Sequence, residues 1–503
     1  MRGRRSVLKS SIFIVSLLGS STALAEGWYA VTSDNFTLYS DAPADETKKL
    51  IENFELFRHS TLAVLGLQDQ SENHRLVIVA YAHSRDFGRI APRDAAGFYY
   101  DSIFGPRMLL RDVGRDRSTQ QTLFHEYVHY VMNQRSTLNY PRWYSEGLAT
   151  VLMTTEIDDS ILVGKPPPSY AFGIELGFRP TVHDVVTVQV DAEDGFYLTS
   201  WLMAHYFSLG NPTRREQTTD YLRRYDAGED PVAAFEASYG ATPTAMDAEV
   251  AAYARRRTLN ALRAPRQQYT GSLSTRALGE DEALLLLADI AVEVDALDTA
   301  HHYFDEASKA GADSPYRFNL MGRRAIAYIH ERKVSEGDEL IRQLLEAGSE
   351  DPQVLGDIAH YAFDKYVEIQ TGRSAGATAA ELDHAIEYGL RATEADPANL
   401  EAHYYLGLSY EAAGRLQNAA DALLSGYDLG PSPRLNRDLA RVLIKGGQHE
   451  LASYLLSRML SVSHADEWRN DLRALIDDLE DGEASSASRE LLAPSWLATS
   501  GAE

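Results

Sequence analysis

The stretch LEAHYYLGLSYEAAGRLQNAADALLSGYDLGP, residues 400–431, decides the fold of the second half of the chain. Its small and apolar residues recur at offsets that suit two helices in close contact, at Leu406, Gly407, Tyr410, Gly414, Ala419, Leu423 and Pro431. Less complete copies begin near Leu287, Pro315, Pro352 and Pro433. Such repetition predicts stacked helical hairpins, so we expect an all-α domain over residues 281–480.

These offsets resemble the tetratricopeptide helix pair, whose small residues let the two helices touch. The copy after Pro352 keeps Ala385, Ala392 and Pro397 around an inserted loop at residues 372–378. The resemblance implies a domain that docks a helix or peptide of a protein partner in a concave groove.

Composition excludes several classes of function. The chain has 503 residues and a formal charge of -25, with 44% apolar and 24% charged residues, values typical of a globular protein of several domains. Such an acidic surface repels phosphate backbones, so no nucleic acid partner is expected. The absence of cysteine excludes disulfides, thiolate metal sites and cysteine nucleophiles.

The N-terminus has the pattern of an export signal. Arg4 and Arg5 lie in a basic start, residues 12–18 form a short apolar core, and Ala23-Leu24-Ala25 is a small-x-small cleavage site. We therefore expect residues 1–25 to be a signal peptide of a periplasmic or secreted bacterial protein. The arginine pair also resembles a twin-arginine signal, so the Sec and twin-arginine routes both stay open. No later stretch reaches about 18 uninterrupted apolar residues, so no integral membrane segment is expected after cleavage.

Residues 26–260 predict a separate α+β domain. Strand patterns occupy residues 28–39, 75–81, 97–100 and 108–111, and an amphipathic helix is predicted over 45–65. From residue 118 the pattern is helical. Residues 261–280 mix Pro, Gln, Gly, Ser and Thr with little periodicity and predict a linker. Residues 481–503 predict a mobile tail.

The segment STQQTLFHEYVHYV, residues 118–131, carries the strongest chemical signal. Ser118 and Gln121 form a capping-box pattern, which predicts that a helix begins here. Residues four apart share a helix face, so His125 and His129 lie side by side and can bind one metal ion. Glu126 is rotated off that pair, where it can reach a metal-bound water without being a ligand.

A third ligand is predicted from PRWYSEGLA, residues 141–149. Glu146 followed by Gly147 and a small residue resembles the second ligand helix of the gluzincin metallopeptidases. Gly147 and Ala149 would let the two ligand helices approach closely. The metzincin pattern needs Gly and His where this chain has Met132 and Arg135, so it does not apply.

Across residues 28–257 the chain resembles the bacterial peptidase MA-like domain, a gluzincin of the thermolysin and aminopeptidase N clan. The resemblance implies a zincin-like catalytic domain with one Zn²⁺ held by His125, His129 and Glu146. It implies that Glu126 is the general base and later passes its proton to the leaving amine. Tyr197, at the start of a helical pattern, would stabilise the oxyanion; a packed core tyrosine is the alternative.

The expected fold is thus an α+β zincin-like catalytic domain followed by an all-α tetratricopeptide-like repeat domain. The expected function is an exported zinc peptidase, an endopeptidase or narrow processing enzyme acting on peptide or protein, with the repeats binding substrate or partner. The strand at 97–101 or 108–111 is the expected substrate edge. The alternative is a tetratricopeptide-type binding or scaffold protein with a non-catalytic metal site, and a zinc hydrolase of a non-peptide amide also stays open.

Overall fold

The structure is a computed structural model. It describes residues 27–69, 75–91, 97–102, 105–111, 117–135, 138–167, 170, 181–187, 195–256, 258–266, 268–462, 472, 474–476 and 478–479. The predicted signal peptide at 1–25 and the predicted tail at 481–503 both lie outside the described residues. Among the described helices, none combines the length and apolar character needed to cross a membrane.

The N-terminal half is built on a mixed six-stranded sheet. Its strands are β1 (Tyr29–Thr32), β2 (Phe36–Ser40), β3 (Leu76–Ala80), β4 (Gly97–Ser102), β5 (Gly105–Leu110) and β9 (Ser274–Ala277). They lie in the order β4-β5-β3-β2-β1-β9. The central strands β3 and β5 pair in parallel and are almost wholly buried, which explains their continuous apolar runs. Of the two candidate edge strands, 97–101 and 108–111, the first lies at the edge as β4, and the second is part of the inner strand β5.

Helices cover this sheet and form the core beside it. They are α1 (Ala44–Leu65), α2 (Ser84–Phe87), α3 (Arg117–Arg135), α4 (Arg142–Met153), α5 (Val182–Val186), α6 (Tyr197–His205), α7 (Pro212–Asp226), α8 (Pro231–Tyr239) and α9 (Pro243–Ala254). Phe57 on α1 stacks on Phe124 of α3 at 3.7 Å between ring centroids, fixing α3 on the core. The predicted helix start at Ser118 is confirmed to within one residue.

The structure corrects the prediction of a linker over residues 261–280, because this segment contains two strands. β8 (Leu262–Pro265) pairs with β7 (Ser160–Val163), which in turn pairs with β6 (Glu156–Ile157). β9 pairs antiparallel with β1. Both strands are largely exposed, so their side chains need no apolar alternation and the pairing comes from backbone hydrogen bonds. The signal that identifies a half-buried strand was therefore missing.

Five helical hairpins follow in the described part of the chain, which confirms the tetratricopeptide-like repeat fold. They pair α10 (Glu280–Glu293) with α11 (Leu297–Ala307), α12 (Arg317–His330) with α13 (Val334–Ala347), α14 (Pro352–Gln370) with α15 (Thr378–Ala395), α16 (Leu400–Ala412) with α17 (Leu416–Leu429), and α18 (Pro433–Lys445) with α19 (His449–Val462). A Cβ on Gly407 would lie 2.5 Å from Leu423 Cγ, so only glycine allows this approach of α16 and α17.

The first helices of successive hairpins pack on one another more closely than the second helices do. In a curved stack the inner side has the shorter spacing, so the first helices lie on the inner side. Buried charged pairs connect these first helices, such as the bidentate pair of Arg323 and Glu401 at 2.9 and 2.7 Å. The contacts between successive first helices are therefore partly polar.

One core is shared by the sheet and the first hairpin. Tyr81 and Leu109 of the sheet side pack in the same cluster as Leu287 of α10 and Phe304 of α11. At the other end of the stack, α19 packs against α3. The repeats thus contact the N-terminal half at both ends.

Candidate metal centre

Helices α3 and α4 bring His125, His129 and Glu146 together, as the sequence predicts. The two Nε2 atoms lie 3.1 Å apart, and Glu146 Oε2 lies 3.3 Å from His125 Nε2 and 3.5 Å from His129 Nε2. The side chains are 18%, 12% and 5% exposed in that order, so the triangle is largely shielded from bulk water and His125 is its most exposed member.

This triangle fits a zinc ion. Tetrahedral zinc binds nitrogen and oxygen ligands at about 2.0–2.2 Å, which places neighbouring ligand atoms about 3.3–3.5 Å apart. The three observed separations lie within a few tenths of an ångström of that value. Two neutral imidazoles and one carboxylate are also a donor set that zinc accepts, with a fourth position left for a small ligand.

The electrostatics suit a cation. Burial raises the pKa of the Glu146 carboxyl, but hydrogen bonds and charge from His125 and His129 outweigh it and hold that pKa well below its usual value. Burial lowers the pKa of His129, while Glu146 and Glu126 raise it by a larger amount in total. The negative charge of the site thus lies on the Glu146 carboxylate, beside the two Nε2 atoms that would bind a metal with it.

Ser145 completes the surroundings of the histidine pair and was missed by sequence reasoning. Its Oγ lies 3.0 Å from Nδ1 of His129, the ring nitrogen turned away from the triangle. Such a hydrogen bond fixes the ring orientation of a metal-binding histidine. The one sequence feature that could have indicated this role is the position of Ser145 directly before the ligand Glu146 on α4.

The role predicted for Gly147 is wrong in one respect. A Cβ at this position would lie 2.3 Å from the backbone oxygen of Ser200, so the glycine faces α6 and not α3. Its small size lets α4 and α6 touch. The approach of α3 and α4 comes instead from their own packing in the core around Trp143 and Tyr127.

Glu126 and Tyr197 lie beside the triangle. Glu126 is half-buried, and its charge acts on the pKa of both His129 and Tyr197, which places all three close together. Burial and the Glu146 carboxylate raise the pKa of Tyr197, against the lowering effect of Arg142. The predicted positions near the metal ligands are thus found, while the chemical roles of these two residues stay predictions.

Tyr170 is a further neighbour that no sequence pattern indicated. Burial, the phenol of Tyr197 and the Glu146 carboxylate raise its pKa to about 12. Its ring packs edge-on against Trp201 of α6, with 6.0 Å between the ring centroids. A hydroxyl with this pKa stays protonated at neutral pH and can donate a hydrogen bond.

His205, at the end of α6, is a packed core residue. Its Nε2 lies 2.8 Å from the Gly164 carbonyl oxygen and its Nδ1 lies 2.8 Å from the Tyr253 hydroxyl. Burial lowers its pKa, so the ring is neutral and structural. It takes no part in the triangle.

In the comparison with known proteins, the matching solved structures named below each cover less than half of this chain. No family model and no curated protein match the chain. Among solved structures, a thermophilic TPR protein of Thermus thermophilus, TTC0263, is 18% identical and aligns over 40% of this chain and 98% of its own, with a TM-score of 0.32. Pseudomonas aeruginosa pilF is 14% identical over 43% and 88%, with a TM-score of 0.32. YrrB, described as a TPR protein with an unusual peptide-binding site, is 14% identical over 38% and 90%, with a TM-score of 0.27.

These findings correct the family and function predicted from the metal motif. TTC0263 and YrrB are described as TPR proteins, and none of the three solved chains named above is described as a peptidase, so the identification as a peptidase MA-like gluzincin and the function of zinc peptidase are wrong. The physical reason is that the resemblance depended on a few side chains of two helices. Such side chains specify a ligand set for a metal, and they do not specify a substrate or a reaction.

Proposed function

We propose that this chain is a tetratricopeptide-type binding protein whose repeats dock a protein partner and whose N-terminal domain holds one Zn²⁺. The observation that carries this proposal is the continuity between the two parts. The sheet and the first hairpin share one core, and α19 packs on α3, the helix that carries both histidines. A metal that ties α3 to α4 would therefore also support the last hairpin of the repeats.

The N-terminal domain is, in this proposal, zincin-like in fold, with His125, His129 and Glu146 as the zinc ligands. Support comes from the mixed sheet, the two ligand helices and the dimensions of the triangle. The zinc would act as a cross-link between helices. Binding to the folded state alone stabilises a protein by about 2.7 kcal/mol at a ligand concentration 100 times Kd.

The surface available to a partner lies on the second helices. Leu345 and Leu390 are each 39% exposed, on α13 and α15, and Leu451 and Tyr454 share one face of α19 with 37% and 49% exposure. The exposed face of α19, beside the metal-bearing half, is the docking surface we propose.

The test uses the full mature chain and a library of exported proteins from a bacterium that carries it. We expect cross-linking through a photoreactive group at Tyr454 to capture a defined partner, and Leu451→Arg to abolish the capture. Leu262→Arg, which changes another exposed leucine far along the chain, is the matched control. Equal capture by wild type and Leu451→Arg would contradict docking at α19.

A zinc hydrolase acting on a non-peptide bond is a second candidate, favoured by the position of Glu126. This carboxylate lies next to the ligand pair without belonging to it. Zinc, when bound, supplies a Lewis acid that polarises a carbonyl and acidifies a coordinated water. Glu126 would accept and return a proton, and Tyr197 would donate a hydrogen bond to the substrate. Loss of hydrolysis of model amides in Glu126→Gln, with zinc retained, tests this candidate.

Export is part of the same proposal. The basic start, apolar core and small-x-small site of residues 1–25 support cleavage after Ala25. Fractionation of bacterial cells that express the full chain should place the shortened protein in the periplasm or medium. A full-length product in the cytosol would contradict it.

A further inference from the structure

A second cluster of metal-binding side chains lies within the repeats. His330 ends α12, while His360 and Asp364 lie four residues apart on one face of α14. Asp364 Oδ2 is 3.1 Å from His360 Nε2 and 3.4 Å from His330 Nε2, and all three ligand atoms lie within 4.8 Å of one another. Two consecutive first helices therefore contribute to one cluster.

His360 is held in the orientation that a metal ligand needs. Its ring stacks on Tyr405 with 3.8 Å between ring centroids, and its Nδ1 lies 2.8 Å from Glu401 Oε1. Because the Glu401 carboxylate accepts a hydrogen bond from the Nδ1 proton, the lone pair of a neutral ring is left on Nε2. A carboxylate behind a histidine is the usual arrangement around metal-bound imidazoles.

The orienting carboxylate is itself fixed. Glu401 is 1% exposed and accepts two hydrogen bonds from the guanidinium of Arg323, at 2.9 and 2.7 Å. Its charge is thereby maintained in the interior. The His360 side chain is 5% exposed, and its buried Nε2 faces the Asp364 carboxylate at 3.1 Å. The ring is therefore held with Nε2 directed at the other two residues of the cluster.

We propose that His330, His360 and Asp364 form a second divalent metal site, independent of the proposed site on α3 and α4. Imidazole nitrogen and one carboxylate select a transition ion such as Zn²⁺ or Co²⁺ over Ca²⁺ and Mg²⁺, which prefer oxygen ligands. Two separations already lie close to the about 3.3–3.5 Å expected between zinc ligands. His330, 36% exposed at a helix end, can close the third by rotating its side chain.

Such an ion would join the second hairpin to the third. Its ligands come from α12 and α14, which pack directly on each other on the inner side of the stack. The ion would therefore resist separation of these hairpins. The competing arrangement is a plain ion pair, in which protonated His360 lies between Asp364 and Glu401 and binds no metal.

The full mature chain is first treated with EDTA and then dialysed against dilute Zn²⁺. The number of zinc ions per chain is measured by elemental mass spectrometry. His330→Ala and Asp364→Asn should each hold one equivalent less than wild type. Loss of a residue that hydrogen-bonds to a metal ligand weakens metal binding by about 10–100-fold, so loss of a ligand should weaken zinc binding at this site by at least as much. His384→Ala, an exposed histidine on α15, is the matched control and should keep the wild-type content.

The two metal sites are distinguishable in the same experiment. His129→Ala removes only the proposed site on α3 and α4, so failure of that site leaves the loss in His330→Ala unchanged. His330 is exposed at a helix end, so its variant is expected to fold even where Asp364→Asn does not, as circular dichroism will show. Wild-type zinc content and affinity in folded His330→Ala would overturn the proposal in favour of the ion pair.

Discussion

Arg107, in the middle of strand β5, reaches across the junction between the two halves and lies 3.0 Å from the Glu293 carboxylate at the end of α10. The Tyr100 hydroxyl of β4 donates a hydrogen bond to the other oxygen of Glu293 at 2.8 Å. Both strands at this end of the sheet are therefore tied to the first repeat helix by one carboxylate. The junction is a buried polar contact inside an otherwise apolar core.

Glu293 should make stability depend on pH. Burial raises its pKa to about 7, against the lowering effects of Arg107 and Tyr100. The folded state therefore binds a proton that the unfolded state has already released between about pH 4.5 and 7, so this group's contribution is greatest at low pH and is lost as pH rises through 7. We expect Glu293→Gln to remove that part of the pH dependence, about 1–3 kcal/mol in urea unfolding.

The control for this measurement is Glu236→Gln, an exposed glutamate on α8, which should leave the pH profile unchanged. A Glu293→Gln profile parallel to wild type from pH 5 to 8 would show that the carboxyl titrates normally.

Glu146 and Glu126 should differ in what their amide variants do to metal binding. Glu146 supplies an oxygen to the triangle, whereas Glu126 lies beside it. Glu146→Gln should lose one equivalent of zinc, because the amide is a much weaker ligand than the carboxylate. Glu126→Gln should retain it, as measured by elemental analysis. Equal zinc loss in both variants would make Glu126 a ligand and contradict the assignment.

Ser145 should tune zinc affinity without contacting the metal. Its hydroxyl lies at hydrogen-bond distance from Nδ1 of His129. Ser145→Ala frees the ring to rotate, so we expect zinc affinity to fall by about 10–100-fold in a competition assay with a chromogenic chelator. Ser425→Ala, an exposed serine on α17, serves as control. An unchanged affinity would mean that packing alone orients the ring.

Gly147 should be intolerant of any side chain. The Cβ of an alanine here would lie 2.3 Å from Ser200 O, a backbone atom that cannot move aside. We expect Gly147→Ala to cost about 1–3 kcal/mol of unfolding free energy, as overpacking of a core does. Gly446→Ala is the comparison, because its Cβ would meet nothing closer than 3.4 Å. Similar stabilities for the two variants would contradict this contact between α4 and α6.

Much of the fold could be predicted from the sequence because its signals are local. The spacing of Gly407, Ala419 and Leu423 reports a helix-to-helix contact within one hairpin, and the structure confirms it. His125 and His129 share a face by helix periodicity alone. Glu146 required one step further, a resemblance between short segments, and its geometry agrees although the implied family does not.

The features that were missed depend on distant parts of the chain. β9 takes its place from a backbone pairing with β1 that leaves no mark on its own side chains. Tyr170 approaches the metal ligands only through the fold. The buried charges of the repeats are similar: Arg323 of the second hairpin meets Glu401 of the fourth, and no local pattern separates such a pair from surface charges.

The pairing of β9 with β1 determines when the sheet can be completed. The first strand after the predicted cleavage site finds this neighbour only when residues 274–277 have emerged from the ribosome. Until then one side of β1 is open, which keeps the sheet incomplete through about the first half of synthesis, a condition compatible with threading through a translocon. For the same reason, a truncated N-terminal half should extend beyond Ala277, since a shorter piece would leave an edge of β1 unpaired. It should also include the first hairpin, which shares its core with the sheet.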